Sequence, residues 1–213
     1  MTDKERAIHR EWCRAFIEHC CIFRSPPGQS LLVSRSGSLS VWQFYLPVAL
    51  LDPQFARRVG LLFWDRFGTE FKQQPFQLCG CESGGILLMC ALQAAAFESG
   101  VAVNAFAVKK AAKGYGIGNW LEGIVHENMS VLLVDDVIGK GNTITAQSER
   151  LRSFGLKVVG VFAVASCKRA VPFNFGDCDI PATALFGPDV FTCTHEHYVR
   201  KYGRQPLFQG SQQ

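Results

Sequence analysis

The chain has 213 residues, of which 48% are apolar, 19% charged and 12% aromatic. That is the length of one domain, long enough to bury a core without disulfides or a structural metal. Its 22 basic and 18 acidic residues leave a net +4 with no long basic block, too mild a balance to mark a nucleic-acid or membrane partner. The low charge and 17 Phe exclude a disordered chain.

Thr2-Asp3-Lys4-Glu5 has capping-box spacing, and Ile8, Trp12, Ala15 and Phe16 keep the helical period after it. A first helix is therefore expected to about Cys21, broken by Ser25-Pro-Pro-Gly28. Short β-type segments are expected at 31–33 and 41–46, on either side of the turn-forming stretch 34–38. Asp52-Pro53 reads as the N-cap and first position of a helix reaching about Phe67.

From there the pattern alternates. A strand is expected at 76–81, an Ala-rich helix at 84–97, a strand at 101–108 and a polar loop at 109–123. An apolar strand at 131–134, a loop at 135–142, a helix at 143–154 and a strand at 158–164 follow. Near-continuous Val, Leu and Ile strands separated by helices predict an α/β domain on a mostly parallel central sheet flanked by helices. Periodicity fades after Ala165. We expect one domain over 1–213, with an N-terminal segment at 1–50, an α/β core at 51–165 and a C-terminal segment at 166–213 whose role the pattern leaves open.

The nine cysteines mostly sit in apolar or helical runs, no CxxC occurs, and no run approaches the roughly 18 apolar residues of a membrane span. The first twelve residues have no apolar signal core. A reduced, cytoplasmic chain is expected, its thiols acting as small hydrophobes. Cys193-Thr-His195-Glu-His197 is the best metal candidate, but further ligands at a loop-closing spacing are missing. The same shortage weakens a metal-dependent hydrolase built on Asp135, Asp136, His195 and His197.

Ligands of open α/β sheets bind beyond the carboxyl ends of the strands, and three loops there carry unusual residues. In Ser130-Val-Leu-Leu-Val-Asp135-Asp136-Val-Ile-Gly139-Lys140-Gly141-Asn142-Thr143 an apolar run delivers two adjacent carboxylates, and then a Gly-rich loop opens a helix. Small residues let backbone N–H groups converge on an anion, and the helix N-terminus adds its positive end. Adjacent carboxylates hold vicinal hydroxyls or a hydrated Mg²⁺. The combination suits a sugar phosphate, and neither GxxxxGK[ST] nor GxGxxG is present. In the second loop, Lys109, Lys110 and Lys113 place three cations within five residues beside Gly114, Gly116 and Gly118. That is the composition of a basic lid able to close over a diphosphate. The third, Gly80-Cys81-Glu82-Ser83-Gly84-Gly85, ends a strand and opens a helix, and its amides and the Ser83 hydroxyl suit a diphosphate or merely a helix-opening turn.

The apolar strand, Asp-Asp and small-residue loop resemble the phosphoribosyl-pyrophosphate (PRPP) signature of type I phosphoribosyltransferases. Val108-Lys-Lys-Ala-Ala-Lys-Gly-Tyr-Gly-Ile-Gly-Asn-Trp-Leu-Glu-Gly123 resembles the mobile loop of the orotate phosphoribosyltransferase group. Leu32-Val-Ser-Arg35-Ser36-Gly37 with Ser40, Trp42, Phe44 and Tyr45 resembles its N-terminal substrate segment. The three motifs agree in order and spacing over about residues 5–165.

The resemblance implies a type I phosphoribosyltransferase-like fold with a small N-terminal hood. It implies transfer of 5-phosphoribose from PRPP to a nucleobase, with orotate leading, to give orotidine 5′-phosphate and diphosphate in pyrimidine biosynthesis. Lys113, Asp135 and Asp136 take the catalytic roles. PRPP is bound by Arg35, Glu82, Ser83, Gly84, Lys109, Lys110, Lys113, Tyr115, Asp135, Asp136, Gly139, Lys140, Gly141, Asn142 and Thr143. Trp42, Phe44 and Tyr45 stack on the base. Mg²⁺ is held mainly through PRPP, without a dedicated protein site, and two subunits form a homodimer that shares the mobile loop.

The chain departs from the family pattern at four points. Gly139 stands where a Thr is usual, Lys140 where a small residue is, Lys109 for the loop's leading Arg, and Arg35 for a Lys. The Arg that fixes the carboxylate of orotate has no clear counterpart near Lys168 and Arg169. A phosphoribosyltransferase for another base, or a regulatory protein of the same fold that senses PRPP or a nucleotide, is the alternative.

Overall fold

A computed structural model describes residues 1–24, 32–33, 39–40, 42–81, 83–109, 120–167, 173–175 and 180–191. The first helix, α1 (Asp3–Cys20), opens on the expected capping box: the Thr2 side chain accepts from the Glu5 N–H while the Glu5 carboxylate accepts from the Thr2 N–H. A hood follows, in which β1 (Ile22–Arg24) pairs antiparallel with β4 (Trp42–Phe44), and β2 (Leu32–Val33) with β3 (Leu39–Ser40). After the single turn α2 (Pro47–Leu50), Asp52 caps α3 (Pro53–Gln73) by accepting from the Gln54 and Phe55 N–H groups. This helix runs past the expected end at Phe67. Phe71 keeps it going by packing edge-on against Trp64 and Phe76, at 5.3 and 5.1 Å between ring centroids.

The core sheet is built from β5 (Phe76–Cys81), β6 (Ala105–Val108), β7 (Leu121–Gly123), β8 (Ser130–Ile138), β9 (Val158–Ser166), β10 (Phe173–Phe175) and β11 (Ile180–Phe186). Its order is β10-β11-β9-β8-β5-β6-β7, parallel from β11 through β6 and antiparallel only at the two edges. The α/β fold expected from the alternation is therefore the one observed. Four features differ from the expected pattern. β8 does not stop at Val134, because Asp135, Val137 and Ile138 stay paired with Ala163, Ala165 and Ser166 of β9. Only the second half of 101–108 is strand, and the far end of the polar loop is β7. The segment beyond Ala165 supplies β11, an inner strand of the sheet.

Side-chain period 2 splits the apolar strands between two faces. Leu78, Leu132, Val134, Phe162 and Val164 point to the side covered by α1, α3 and α4 (Gly84–Glu98). Cys79, Val131, Leu133, Val161 and Ala163 point to the side covered by α5 (Asn142–Ser153), through Ile144 and Leu151. The two helices that follow β5 and β8 thus lie on opposite faces of neighbouring strands. No helix among the described residues is long and apolar enough to cross a membrane.

Candidate functional site

In an open parallel sheet, helices leaving adjacent strands toward opposite faces open a crevice at the carboxyl ends of those strands. Here that crevice lies between β5 and β8, which are in register from Phe76↔Ser130 to Gly80↔Val134. It is walled by the first turn of α4 on one side and the Asp135–Thr143 stretch on the other.

The approach of α4 to β8 explains its paired glycines. A Cβ on Gly85 would lie 2.4 Å from the Val134 carbonyl oxygen, and one on Gly84 would lie 2.2–2.5 Å from the Asp136 carboxylate atoms. Gly80, one strand over, faces the Gly85 carbonyl oxygen at 2.9 Å by the same measure. These glycines let the Asp136 carboxylate sit directly on the N-terminus of α4, where the helix dipole favours negative charge.

Asp135 is 8% exposed and Asp136 half-buried. An Asp135 oxygen accepts from the Asp136 N–H at 3.0 Å, and an Asp136 oxygen accepts from the Val137 N–H at 2.9 Å. Each carboxylate is thus oriented by the backbone beside it. β8 then ends, and Gly141 adopts φ +92°, the left-handed conformation that suits glycine, to start α5. The Thr145 hydroxyl closes the first turn by donating to the Gly141 carbonyl at 3.2 Å. Gly139 has open space where a Cβ would stand, Lys140 and Asn142 are exposed, and Thr143 is half-buried.

The helices at the crevice differ from α1 and α3, whose ends Thr2 and Asp52 cap. Ser83 and Gly141, the N-caps of α4 and α5, make no side-chain cap bond, and Ser83 is exposed. Two helix N-termini therefore face the crevice with first-turn amides that no side-chain cap satisfies, which is an anion-binding arrangement.

The basic segment is rooted on β6 and β7. Lys109 is mostly buried and pairs with Glu122, its N–H donates to the Trp120 carbonyl at 3.0 Å, and its carbonyl accepts from Gln147 Nε2 at 3.4 Å. Trp120, Gln147 and Arg150, none of them among the expected site residues, also come together at this root. Lys110, Lys113, Tyr115, Arg35 and Glu82 lie outside the described residues, as do His195 and His197.

In the hood, Tyr45 is exposed and set edge-on to Phe23. Phe44 is 6% exposed and packs its ring against Phe191 at 5.3 Å, in the core rather than facing solvent. Trp42 pairs through its backbone with Arg24; its side chain lies outside the described set.

Among the described residues no three His, Cys, Asp or Glu side chains gather to hold a metal. Asp135 and Asp136 do fit a magnesium ion that arrives on a diphosphate, since magnesium takes one or two carboxylates and completes its shell with phosphate oxygens and water.

The orotate phosphoribosyltransferase of Aquifex aeolicus is 26% identical to this chain over 151 residues, 71% of this chain and 81% of that protein. Among solved structures, the Mycobacterium tuberculosis H37Rv orotate phosphoribosyltransferase in complex with PRPP superposes with a TM-score of 0.59 at 18% identity, covering 90% of this chain and 93% of that one. The adenine phosphoribosyl transferase of Trypanosoma brucei, in complex with AMP, pyrophosphate and ribose-5-phosphate, gives 0.63 at 21% identity, covering 93% and 86%. The family model of the phosphoribosyl transferase domain matches residues 49–172, which contain the whole crevice from Gly80 to Thr143. With the crevice, its carboxylate pair and its two uncapped helix ends inside that match, the chain belongs to the phosphoribosyl transferase domain family.

Proposed function

We propose that the chain transfers 5-phosphoribose from PRPP to orotate, giving orotidine 5′-phosphate and diphosphate. The observation that carries this is the crevice between β5 and β8, where two oriented carboxylates stand between two helix N-termini that lack a side-chain cap. One helix end suits the diphosphate and the other the 5′-phosphate, with the ribose between them and its vicinal hydroxyls on Asp135 and Asp136. In the reaction a bond forms between a ring nitrogen of the base and C1 of the ribose. The C1–O bond to diphosphate breaks, its electron pair leaves with the diphosphate, and the proton of the ring nitrogen is released.

Asp135 and Asp136 stabilise the positive charge that develops at C1, in fixed positions set by their backbone hydrogen bonds. Lys113 neutralises the departing diphosphate, and Lys110 and Lys140 add positive charge around the two phosphates. Mg²⁺, carried on the diphosphate, supplies charge neutralisation when bound. Lys109, committed to Glu122, anchors the basic segment. Tyr45, with Trp42, offers the ring that covers the base, while Phe44 supports it from the core. Two copies sharing the basic segment form the working unit, in a reducing, cytoplasmic setting consistent with the free thiols of Cys13, Cys20, Cys21, Cys79, Cys81, Cys90 and Cys167.

A second reading keeps the site and changes the acceptor, because the Arg that would fix the carboxylate of orotate has no clear counterpart near Lys168 and Arg169. Incubating the protein with PRPP, Mg²⁺ and a panel of bases separates the two. Diphosphate release with orotate and not with adenine, guanine, hypoxanthine or uracil supports orotate; release only with another base removes it.

A further inference from the structure

Arg58 of α3 is held from one face of α1 by two side chains. Its Nη1 donates to His9 Nδ1 at 2.8 Å, and its guanidinium lies over the Trp12 ring, 4.7 Å from the centroid. His9 and Trp12 are three apart on the helix, so one side of α1 grips both the edge and the face of the group. His9, Trp12 and Arg58 are each half-buried. A guanidinium carries donors only and keeps its charge, so the His9 nitrogen that meets it holds a lone pair. The imidazole in this contact is therefore neutral, with its proton on Nε2. A second ring proton would remove the hydrogen bond and set two cations side by side.

The charges around His9 oppose that proton. Partial burial, then Arg58 and Arg57 of α3, hold His9 below the ordinary imidazole range, against an opposite pull from Glu5. Arg57 is itself paired with Glu98 at the end of α4, and Glu5 is bound to Thr2 in the capping box. Asp65 and Lys72 of α3 line the same cavity as His9, with Asp65 paired to Arg6 and the terminal amine. Each of these three carboxylates already has a partner, so none stands ready as the counter-ion of a protonated His9.

We infer that His9 and Arg58 form an acid-released latch between α1 and α3, closed while the imidazole is neutral and opened when it takes up a proton. The folded chain binds this proton less readily than the unfolded one. The stability that the latch contributes is therefore complete above the ordinary imidazole pKa of about 6.5 and is lost as pH falls through that value toward the folded one. The helix it holds leads into the hood: the carbonyl of Cys21, the C-cap of α1, accepts from the Tyr45 N–H at 2.8 Å. Opening the latch loosens the helix from which the hood begins.

The test combines an NMR titration of the His9 ring with hydrogen exchange of the α1 amides, corrected for intrinsic rate, in the wild-type chain, His9→Asn and Arg58→Met. In the wild type the ring should titrate below about 6.5. Exchange of α1 should rise severalfold, at most about tenfold, from about pH 7.5 to about pH 5.5. His9→Asn offers Arg58 a carbonyl oxygen that does not titrate, so α1 should lack this acid rise. Arg58→Met should move the His9 titration up toward the ordinary value and speed α1 exchange already at about pH 7.5. His9→Asn changes a partly exposed side chain, so its comparison with the wild type stands even where Arg58→Met does not fold. A wild-type His9 that titrates at or above about 6.5, or an acid rise as large in His9→Asn as in the wild type, overturns the inference.

Discussion

The first residue of α4, Gly84, lies so close to Asp136 at the end of β8 that a Cβ there would fall 2.2 Å from the carboxylate carbon. The glycine is what lets a carboxylate and a helix N-terminus share one corner of the crevice. Gly84→Ala should displace Asp136 and lower kcat/KM for PRPP by about a hundredfold, the usual effect of a misplacement near 1 Å at a reacting centre. Steady-state kinetics beside the thermal midpoint check this, because a midpoint that falls as far as the activity would make the effect one of folding.

Asp136→Asn keeps the shape and the bond from the Val137 N–H while removing the charge. We expect kcat to fall by about 10²–10³ with the fold intact, the range found when one preorganised electrostatic group is lost. Single-turnover rates with saturating PRPP measure it.

Gly141 adopts φ +92°, and any side chain there is strained. Gly141→Ala should cost about 1–2 kcal/mol, visible as a lower denaturant midpoint, and should weaken PRPP binding by loosening the phosphate loop. Gly139→Ala, at a position with open space around it, should do neither.

Hydrogen bonding to Arg6 holds the Asp65 carboxyl below its ordinary range. Stability from this contact is complete above the unfolded carboxyl pKa of about 4 and is lost as pH falls through the lower folded value. Asp65→Asn should therefore destabilise the protein at pH 7, and the gap between variant and wild type should shrink progressively as pH falls below about 4. Urea midpoints across that range test it.

Among the described cysteines, Cys90 and Cys167 are exposed, although burial raises the Cys167 thiol; burial pushes the Cys13 and Cys21 thiols up to about 12 and raises that of Cys79 as well. Native alkylation with iodoacetamide followed by peptide mapping should label Cys90 and Cys167 and spare Cys13, Cys21 and Cys79.

What could be read in the sequence was local. Thr2 and Asp52 announced their helices because capping is written in adjacent residues. The strand at 76–81 was legible because a fully buried parallel strand is a short apolar run. The length of β8 was not, since Asp135 and Asp136 look like a loop until the pairing of Asp135, Val137 and Ile138 with β9 is known. β11 was hidden because Pro181 and Thr183 interrupt a run whose alternate residues Ile180, Ala182 and Ala184 face the core. In the site, the carboxylate pair and glycine loops stood out as motifs. The contacts of Arg150 with Trp120 and of Gln147 with Lys109 join residues far apart in sequence, and nothing local marks them. Phe44 illustrates the reverse: this last residue of β4 turns inward to Phe191, while Tyr45, just past the strand, stays exposed.

The central claim is transfer of phosphoribose at the crevice between β5 and β8. Its most direct test incubates the purified protein with Mg²⁺, PRPP and orotate and follows the loss of orotate absorbance together with diphosphate release. The account predicts equal amounts of the two in the wild-type chain and formation of both slowed at least about a hundredfold in Asp136→Asn at the same enzyme concentration. Diphosphate released without orotate consumed, or undiminished turnover in Asp136→Asn, would contradict it.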